Sequence, residues 1–248
     1  MHDFLNFTEN FPLLLALVIL LSIIQSIFGV GLLLFGTPIL LILDYEFIVV
    51  LSVLLPSSFF ISALQIYDGK KEKIPIPNHL YFICLPAIGV GIWLGNVGLN
   101  LQLTDVFVGL ILIGAALLRY FTVIQRKVSK LFVDHNKLFH FLMGITHGIT
   151  NLGGSLLTIY ASALHEKKST IRYYVAYYYF AFSSIQLILV FPHIASYSMF
   201  IHHMTLVIVS IIVYRLLGNT VFESATDKIY FHVFSLFMIL CGITLLIK

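Results

Sequence analysis

The sequence predicts an all-α polytopic membrane protein made of two inverted repeats, each a Gly-broken, re-entrant hairpin plus three transmembrane helices. Three observations predict it. Charge is too scarce for a water-exposed surface, apolar runs long enough to span a bilayer recur to the end of the chain, and two Gly-interrupted segments open the two halves. Hydrophobic residues make up 60% of the 248 and charged residues 10%, against about 25% charged in a soluble domain. The bilayer core holds no water to pair with backbone, so spans are helices or closed barrels. These runs are too long and too uniformly apolar for barrel strands.

The apolar stretches are 12–42, 46–67, 80–95, 103–120, 138–164, 173–191, 197–217 and 229–247. As one helix the first would be about 46 Å long, against a hydrocarbon core of about 30 Å. It is therefore expected to break near Gly29–Gly31 into two half-helices. Stretches 46–67, 80–95 and 103–120 follow as spans, and Pro38 and Pro56 are expected to kink or end their helices. The longest polar connection, 121–137, carries Arg126, Lys127, Lys130 and Lys137. It divides a first membrane repeat, 1–125, from a second, 126–248. Stretch 138–164 repeats the long opening, with its break near Asn151–Gly154, and three further spans complete the chain. The N-terminus holds Asp3 and Glu9 but no Lys or Arg, which argues against a cleavable secretion signal.

The halves match in order. Gly31 corresponds to Gly153, Ser62-Ala63-Leu64-Gln65-Ile66 to Ser183-Ser184-Ile185-Gln186-Leu187, Leu94-Gly95-Asn96 to Leu217-Gly218-Asn219, and Thr104-Asp105 to Thr226-Asp227, at offsets between 121 and 123. Charge orients them. Short cytoplasmic loops collect Lys and Arg. Here 68–77, 119–137 and 165–172 are rich in them, while the N-terminus, 43–46 and 192–200 are poor. Eight single crossings would put 165–172 opposite the other two basic loops. If 12–42 and 138–164 each enter and return, all three basic loops share one side. Each half then has an odd number of crossings, so the halves are inverted. Lys248 alone disagrees.

Gly-broken hydrophobic segments at matching positions of two halves point to a substrate site. Gly29, Gly31, Gly153 and Gly154 allow φ > 0 and close backbone approach, although glycines also serve plain helix packing. A helix that starts after a break aims its unpaired N–H groups at whatever occupies it, which suits an anion. That matters because the segment centres hold essentially no charged side chains. Beside the breaks lie Gln25, Thr37, His147, Thr150, Asn151 and Ser155. Asn151 and Thr150 can cap a half-helix or bond a substrate oxygen, and His147 can pair with an anion or carry a proton. Ser62, Gln65, Ser183 and Gln186 sit at equivalent places in the next span of each half, as cavity lining or as interhelical bonds. Arg215, near a span end, is expected to snorkel. The Tyr173–Phe180 run reads as interface belt and packing, with a pathway lining as the alternative.

Several classes are excluded or disfavoured. A net charge of +3 is too small for nucleic acid. Cys84 and Cys241 imply neither a disulfide framework nor a metal cluster. No cofactor motif, nucleotide-binding loop or paired buried carboxylate occurs. The main rival to transport is a membrane enzyme acting on a lipid or isoprenoid. Its histidines, His135, His140, His165, His193, His202, His203 and His232, show no ligand spacing.

At these residues the chain resembles the TauE/SafE (TSUP) family of sulfite and organosulfonate exporters. Gly29-Val30-Gly31 with Pro38 matches the Gly-rich stretch and following Pro of the family's first segment. Gly144, Gly148 and Asn151-Leu152-Gly153-Gly154 match its counterpart in the second half, and Gly95-Asn96 and Gly114 fall where later helices carry small residues. The resemblance spans nearly the whole chain. It departs where the usual Gly triplet is reduced to Gly31 followed by Leu32, and where Tyr160 stands opposite Pro38. It implies secondary export of a small anion (sulfite, thiosulfate or an organosulfonate) across the cytoplasmic membrane, with protons as a candidate coupling ion. The partners are then that anion and the lipid bilayer.

Overall fold

The computed structural model describes residues 10–247 except 73, 99–100, 166, 195–196 and 225–226. Asp3, Glu9, Lys73, Thr226 and Lys248 lie outside the described residues, as do the side chains of Asn96, Thr104, Asp105, Arg126, His193, Asn219, Asp227, Lys228 and His232. Every element among the described residues is helical. In order these are α1 (Phe11–Phe28), α2 (Leu32–Ile42), α3 (Phe47–Asp68), a π-turn (Leu80–Cys84) running into α4 (Leu85–Gly98), α5 (Leu101–Tyr120), α6 (Thr122–Asp134), α7 (Asn136–Thr150), α8 (Gly153–Leu164), α9 (Lys168–Ile194), α10 (Tyr197–Ser224) and α11 (Asp227–Ile247).

Four helical stretches are long and apolar enough to cross a membrane: Phe11–Phe28, Phe47–Asp68, Lys168–Phe191 and Phe200–Gly218. Shorter apolar helices include Leu32–Ile42, Gly153–Leu164 and Met238–Ile247. Large apolar side chains such as Phe82, Trp93, Ile188, Phe191, Leu216 and Ile247 stand on the outer surface. In water that surface would aggregate; against lipid tails it is matched. The buried polar side chains among the described residues are Ser, Thr, Asn, Gln and His, with no Asp, Glu, Lys or Arg.

Both long opening stretches break. α1 stops at Gly29, whose φ of 74° is left-handed and whose N–H bonds the Gln25 carbonyl. α7 stops at Asn151, with φ of 62° and its N–H on the His147 carbonyl. Both are αL C-caps, Gly being the usual residue and Asn the next. Pro38 and Pro56 lie inside α2 and α3 rather than at their ends. The 121–137 connection is not loop but largely helix α6. Its exposed Val123, Ile124 and Leu131 alternate with Lys127 and Lys130, and its Phe132 packs on Phe139.

The packing treats the halves alike. α1 packs on α10 as α7 packs on α4, and α2 on α11 as α8 on α5. α3 meets α10 as α9 meets α4, while α3 pairs with α9, α5 with α11 and α2 with α8. The α4–α7 crossing is close because it is lined by glycine. A Cβ on Gly91 would lie 2.7 Å from the Ile145 carbonyl, and one on Gly148 would lie 2.8 Å from Gly91 Cα. Small residues let backbones approach, and dispersion then holds the pair. Gly95 and Gly114, by contrast, have open space where a side chain would go.

Of the belt and packing expected of the Tyr173–Phe180 run, Tyr174, Tyr178 and Tyr179 show the packing, being fully buried between helices. Arg215 is held by a 3.3 Å ion pair to Asp68, whose other oxygen accepts the Tyr214 hydroxyl at 2.8 Å. Asp68 ends α3, so this tie joins the two halves.

Candidate functional site

All ten polar side chains singled out from the sequence (Gln25, Thr37, Ser62, Gln65, His147, Thr150, Asn151, Ser155, Ser183 and Gln186) are buried. They gather into two clusters, one at each break.

At the first break, Gln25 in the last turn of α1 acts as a knot. Its Oε1 accepts the N–H of Leu32, the first residue of α2, at 3.1 Å. Its Nε2 reaches the Ser62 hydroxyl at 3.2 Å and the Ser58 hydroxyl and carbonyl at 3.3 Å. Gln65 Nε2 donates to the Gln25 carbonyl at 2.7 Å, while Gln65 Oε1 has no partner. A buried amide between apolar helices must be paired, and here α1, α2 and α3 are tied together through one side chain. From α9, the Arg172 guanidinium donates to the Ser26 carbonyl at 3.2 Å, at the C-terminal end of α1.

At the second break the bonds run as a string. His147 Nε2 lies 3.1 Å from Gln186 Oε1, Gln186 Nε2 donates to Asn151 Oδ1 at 3.3 Å, and Asn151 Nδ2 donates to Thr37 Oγ1 at 2.9 Å. A carboxamide oxygen only accepts, so the His147 proton sits on Nε2 and Nδ1 is left as a bare acceptor. Nδ1 is buried without a partner, and so is Ser183 Oγ. The Thr150 hydroxyl accepts the Leu152 N–H at 3.2 Å, and the Ser155 hydroxyl donates to the Leu152 carbonyl at 2.8 Å. α8 therefore begins with its first N–H groups, on Gly153 and Gly154, lacking acceptors within the helix.

The glycines have different jobs from those expected. Among the described residues only Gly29 of the four has positive φ; Gly31 is extended and Gly153 and Gly154 are helical. They are small because neighbours lie against them. A Cβ on Gly31 would sit 2.7 Å from Gln25 Cα, and one on Gly153 2.6 Å from His147 Cβ. One on Gly154 would overlap the Tyr179 hydroxyl. Asn151, expected as an N-cap, instead ends α7 and bridges to Thr37 across the halves; the N-cap of α8 is Leu152, with no side-chain bond.

The breaks are staggered. Gly29 abuts Arg172 and Val175 near the start of α9, whereas the second cluster is tied to Gln186 further along it. Arg172 and Gln186 are separated by roughly 21 Å of helix rise. Sequence reasoning missed Arg172 and Ser58, and met Tyr179 only as part of the Tyr173–Phe180 run. Ser58 and Tyr179 stand at matching places one turn before Ser62 and Ser183, and only the repeat register could have found them.

Apolar helices facing lipid, two interior helix breaks and buried polar side chains that, among the described residues, include no Asp, Glu, Lys or Arg describe a membrane transporter. The chain belongs to the sulfite exporter TauE/SafE family, whose model matches residues 14–245, both breaks included. No curated protein and no solved structure gives a significant match. The family consists of transporters, so a lipid-modifying membrane enzyme is not favoured.

Proposed function

We infer that this chain exports a small sulfur-containing anion, of the sulfite, thiosulfate or organosulfonate class, across the cytoplasmic membrane, with a proton as coupling ion. The observation that carries the reading is the second break. There the donor end of α8 meets a buried, unpartnered imidazole nitrogen and an unpartnered hydroxyl, in an interior where no Asp or Glu is buried among the described residues. Backbone N–H groups at Gly153 and Gly154 and the Ser183 hydroxyl donate to the anion oxygens there, His147 Nδ1 accepts from a protonated oxygen of the anion, and Ser155 and Thr150, whose hydroxyls bond backbone carbonyls, line the site. Gln25, Gly29, Gly31, Ser62 and Gln65 form the matching station at the first break, and Thr37 with Asn151 lies between them. Neutral donors suit a carrier, because they hold an anion firmly enough to load and weakly enough to release.

The two repeats, 1–125 and 126–248, are inverted, and α1–α2 and α7–α8 are their re-entrant hairpins. The matched helix pairing of the halves, their shared αL breaks and the loop charge pattern support this. Rocking of one repeat against the other then exposes the staggered stations in turn.

Uptake of radiolabelled sulfite, thiosulfate and taurine into proteoliposomes tests the proposal. Saturable flux of at least one, lost in Gly153→Leu and weakened in His147→Ala, is expected. Absence of saturable flux for every small anion tried would refute it.

A further inference from the structure

A second buried polar network lies outside the anion site, where α4, α7, α8 and α9 meet. His140 Nδ1 is 2.8 Å from the Asn136 carbonyl, and His140 Nε2 is 2.7 Å from the Tyr178 hydroxyl. Tyr178 and Tyr174 hydroxyls are 3.1 Å apart. The Tyr160 hydroxyl donates to Asn136 Oδ1 at 3.1 Å. His140, Tyr160, Tyr174 and Tyr178 are all buried. Two partly exposed imidazoles flank the network, His165 with its ring 5.1 Å from Tyr174 and His79 with its ring 5.8 Å from His140. Each keeps one buried nitrogen without a partner, Nε2 of His165 and Nδ1 of His79.

Donor direction is set by chemistry. A carbonyl only accepts, so His140 carries its proton on Nδ1 and offers Nε2 as acceptor. Tyr178 must then donate to Nε2, and Tyr174 to Tyr178. Every hydroxyl in the string points its proton toward His140. Hydroxyls and imidazoles can each take one proton on one side and give one up on the other. The His147 string cannot do this, because it passes through the carboxamides of Gln186 and Asn151, which do not exchange protons in that way.

We propose that Tyr174, Tyr178 and His140 form a proton relay, entered from the His165 end, and that His140 is the residue whose charge couples protons to the anion. The proposal rests on the transport reading above. In one passage Tyr178 gives its hydroxyl proton to His140 Nε2, Tyr174 replaces it, and a solvent proton arriving past His165 replaces that of Tyr174. The net change is one proton moved from water to His140, with only O–H and N–H bonds exchanged. Burial holds His165 below the ordinary imidazole range, which favours passing a proton on over keeping it. His140 lies two turns before His147 on α7, roughly 10 Å along the axis. A positive charge there favours an anion at the second break, and its loss releases the anion. Around His140, the π-turn and α4 bring His79 and Cys84, α9 brings Tyr174 and Tyr178, α8 brings Tyr160, and Phe132 of α6 packs on the neighbouring Phe139. No carboxylate among the described residues faces it.

The test compares two modes of sulfite flux in proteoliposomes of the full chain. One is net flux driven by a pH gradient. The other is sulfite–sulfite counterflow at equal pH, which moves no net proton. Tyr178→Phe keeps the ring and removes the relay hydroxyl. It should lower gradient-driven flux at least tenfold and leave counterflow within about twofold of wild type, and His140→Gln should behave the same way. Equal gradient-driven flux in wild type and Tyr178→Phe overturns the relay but leaves the transport reading standing. Loss of both modes in variants that still unfold cooperatively at the wild-type temperature also overturns it, because His140 and Tyr178 would then serve binding or architecture. Wild-type protein with no flux of sulfite, thiosulfate or taurine in either mode sinks the transport reading, and the relay with it.

Discussion

The two helix breaks share a backbone and differ in their side chains. Each ends a half-helix in an αL residue whose N–H bonds the residue four back, and each tucks a glycine against that residue: Gly31 against Gln25 and Gly153 against His147. At the first break Gln25 satisfies the start of α2 and ties it to α3. At the second, His147 spends one nitrogen on Gln186 and leaves the other bare. At the first break Gln25 has both amide atoms engaged, and at the second His147 keeps one nitrogen in reserve. Two equal bends thus carry different side chains: the first is braced by its glutamine, and the second leaves a nitrogen and a hydroxyl unpartnered.

The strongest way to break this comparison is Gly153→Leu. Its Cβ alone would lie 2.6 Å from His147 Cβ and 3.0 Å from the Met143 carbonyl. Sulfite flux should drop to background while the protein still reaches the membrane, as read by flux and surface expression. The comparison is sharpened by Gln25→Leu beside His147→Gln. Gln25→Leu keeps volume but strands the Leu32 N–H and two serine hydroxyls. It should cost about 2–3 kcal/mol of stability, read as a lower Tm in detergent. His147→Gln should change stability by less than about 1 kcal/mol yet raise the sulfite KM roughly tenfold. Equal Tm losses in the two variants would erase the distinction.

Asn151→Gly makes the second break resemble the first. Glycine accepts φ of 62°, so the bend survives, but the bonds to Gln186 and Thr37 go. About 1–2 kcal/mol of stability should be lost, measured by denaturant unfolding, with a smaller effect on KM than His147→Gln. The smallest effect is expected away from both breaks, at Glu72. Hydrogen bonds donated by Thr170 at 2.6 Å and Ser169 at 2.9 Å hold its carboxyl below the usual carboxylate range. The folded-state value is depressed, so this clip contributes above the unfolded value and is lost as pH falls through the folded one. Glu72→Gln should remove that acid-side decline and leave neutral-pH stability nearly unchanged, as followed by Tm against pH.

Much of this was legible in the chain. A 12–42 stretch too long for one helix forces a break, and Gly29 is where the backbone can turn left-handed. The second break was legible in place but not in kind. Asn151 was expected to cap a half-helix or bond substrate and Gly153 to allow a left-handed turn or close approach, yet Asn151 itself makes the left-handed turn that closes α7, and Gly153 is helical and lies against His147. Gln25 and Gln65 read as polar residues near a site. That they bond each other, and so spend most of their capacity on structure, depends on α1 and α3 lying side by side, which no spacing encodes. The Asp68–Arg215 tie and the His140–Tyr178 string were invisible for the same reason, each joining residues far apart in the chain.

By itself the sequence determined the solvent, the helical class and the bends. Those follow from charge scarcity, the length of apolar runs and the conformational freedom of particular residues, all local properties. Only the tertiary structure decided which polar groups are satisfied and which are left over. Hydrogen-bond capacity in a water-free interior is settled by who packs beside whom. The difference between Gln25, fully engaged, and His147, with a nitrogen to spare, exists only once the helices have met.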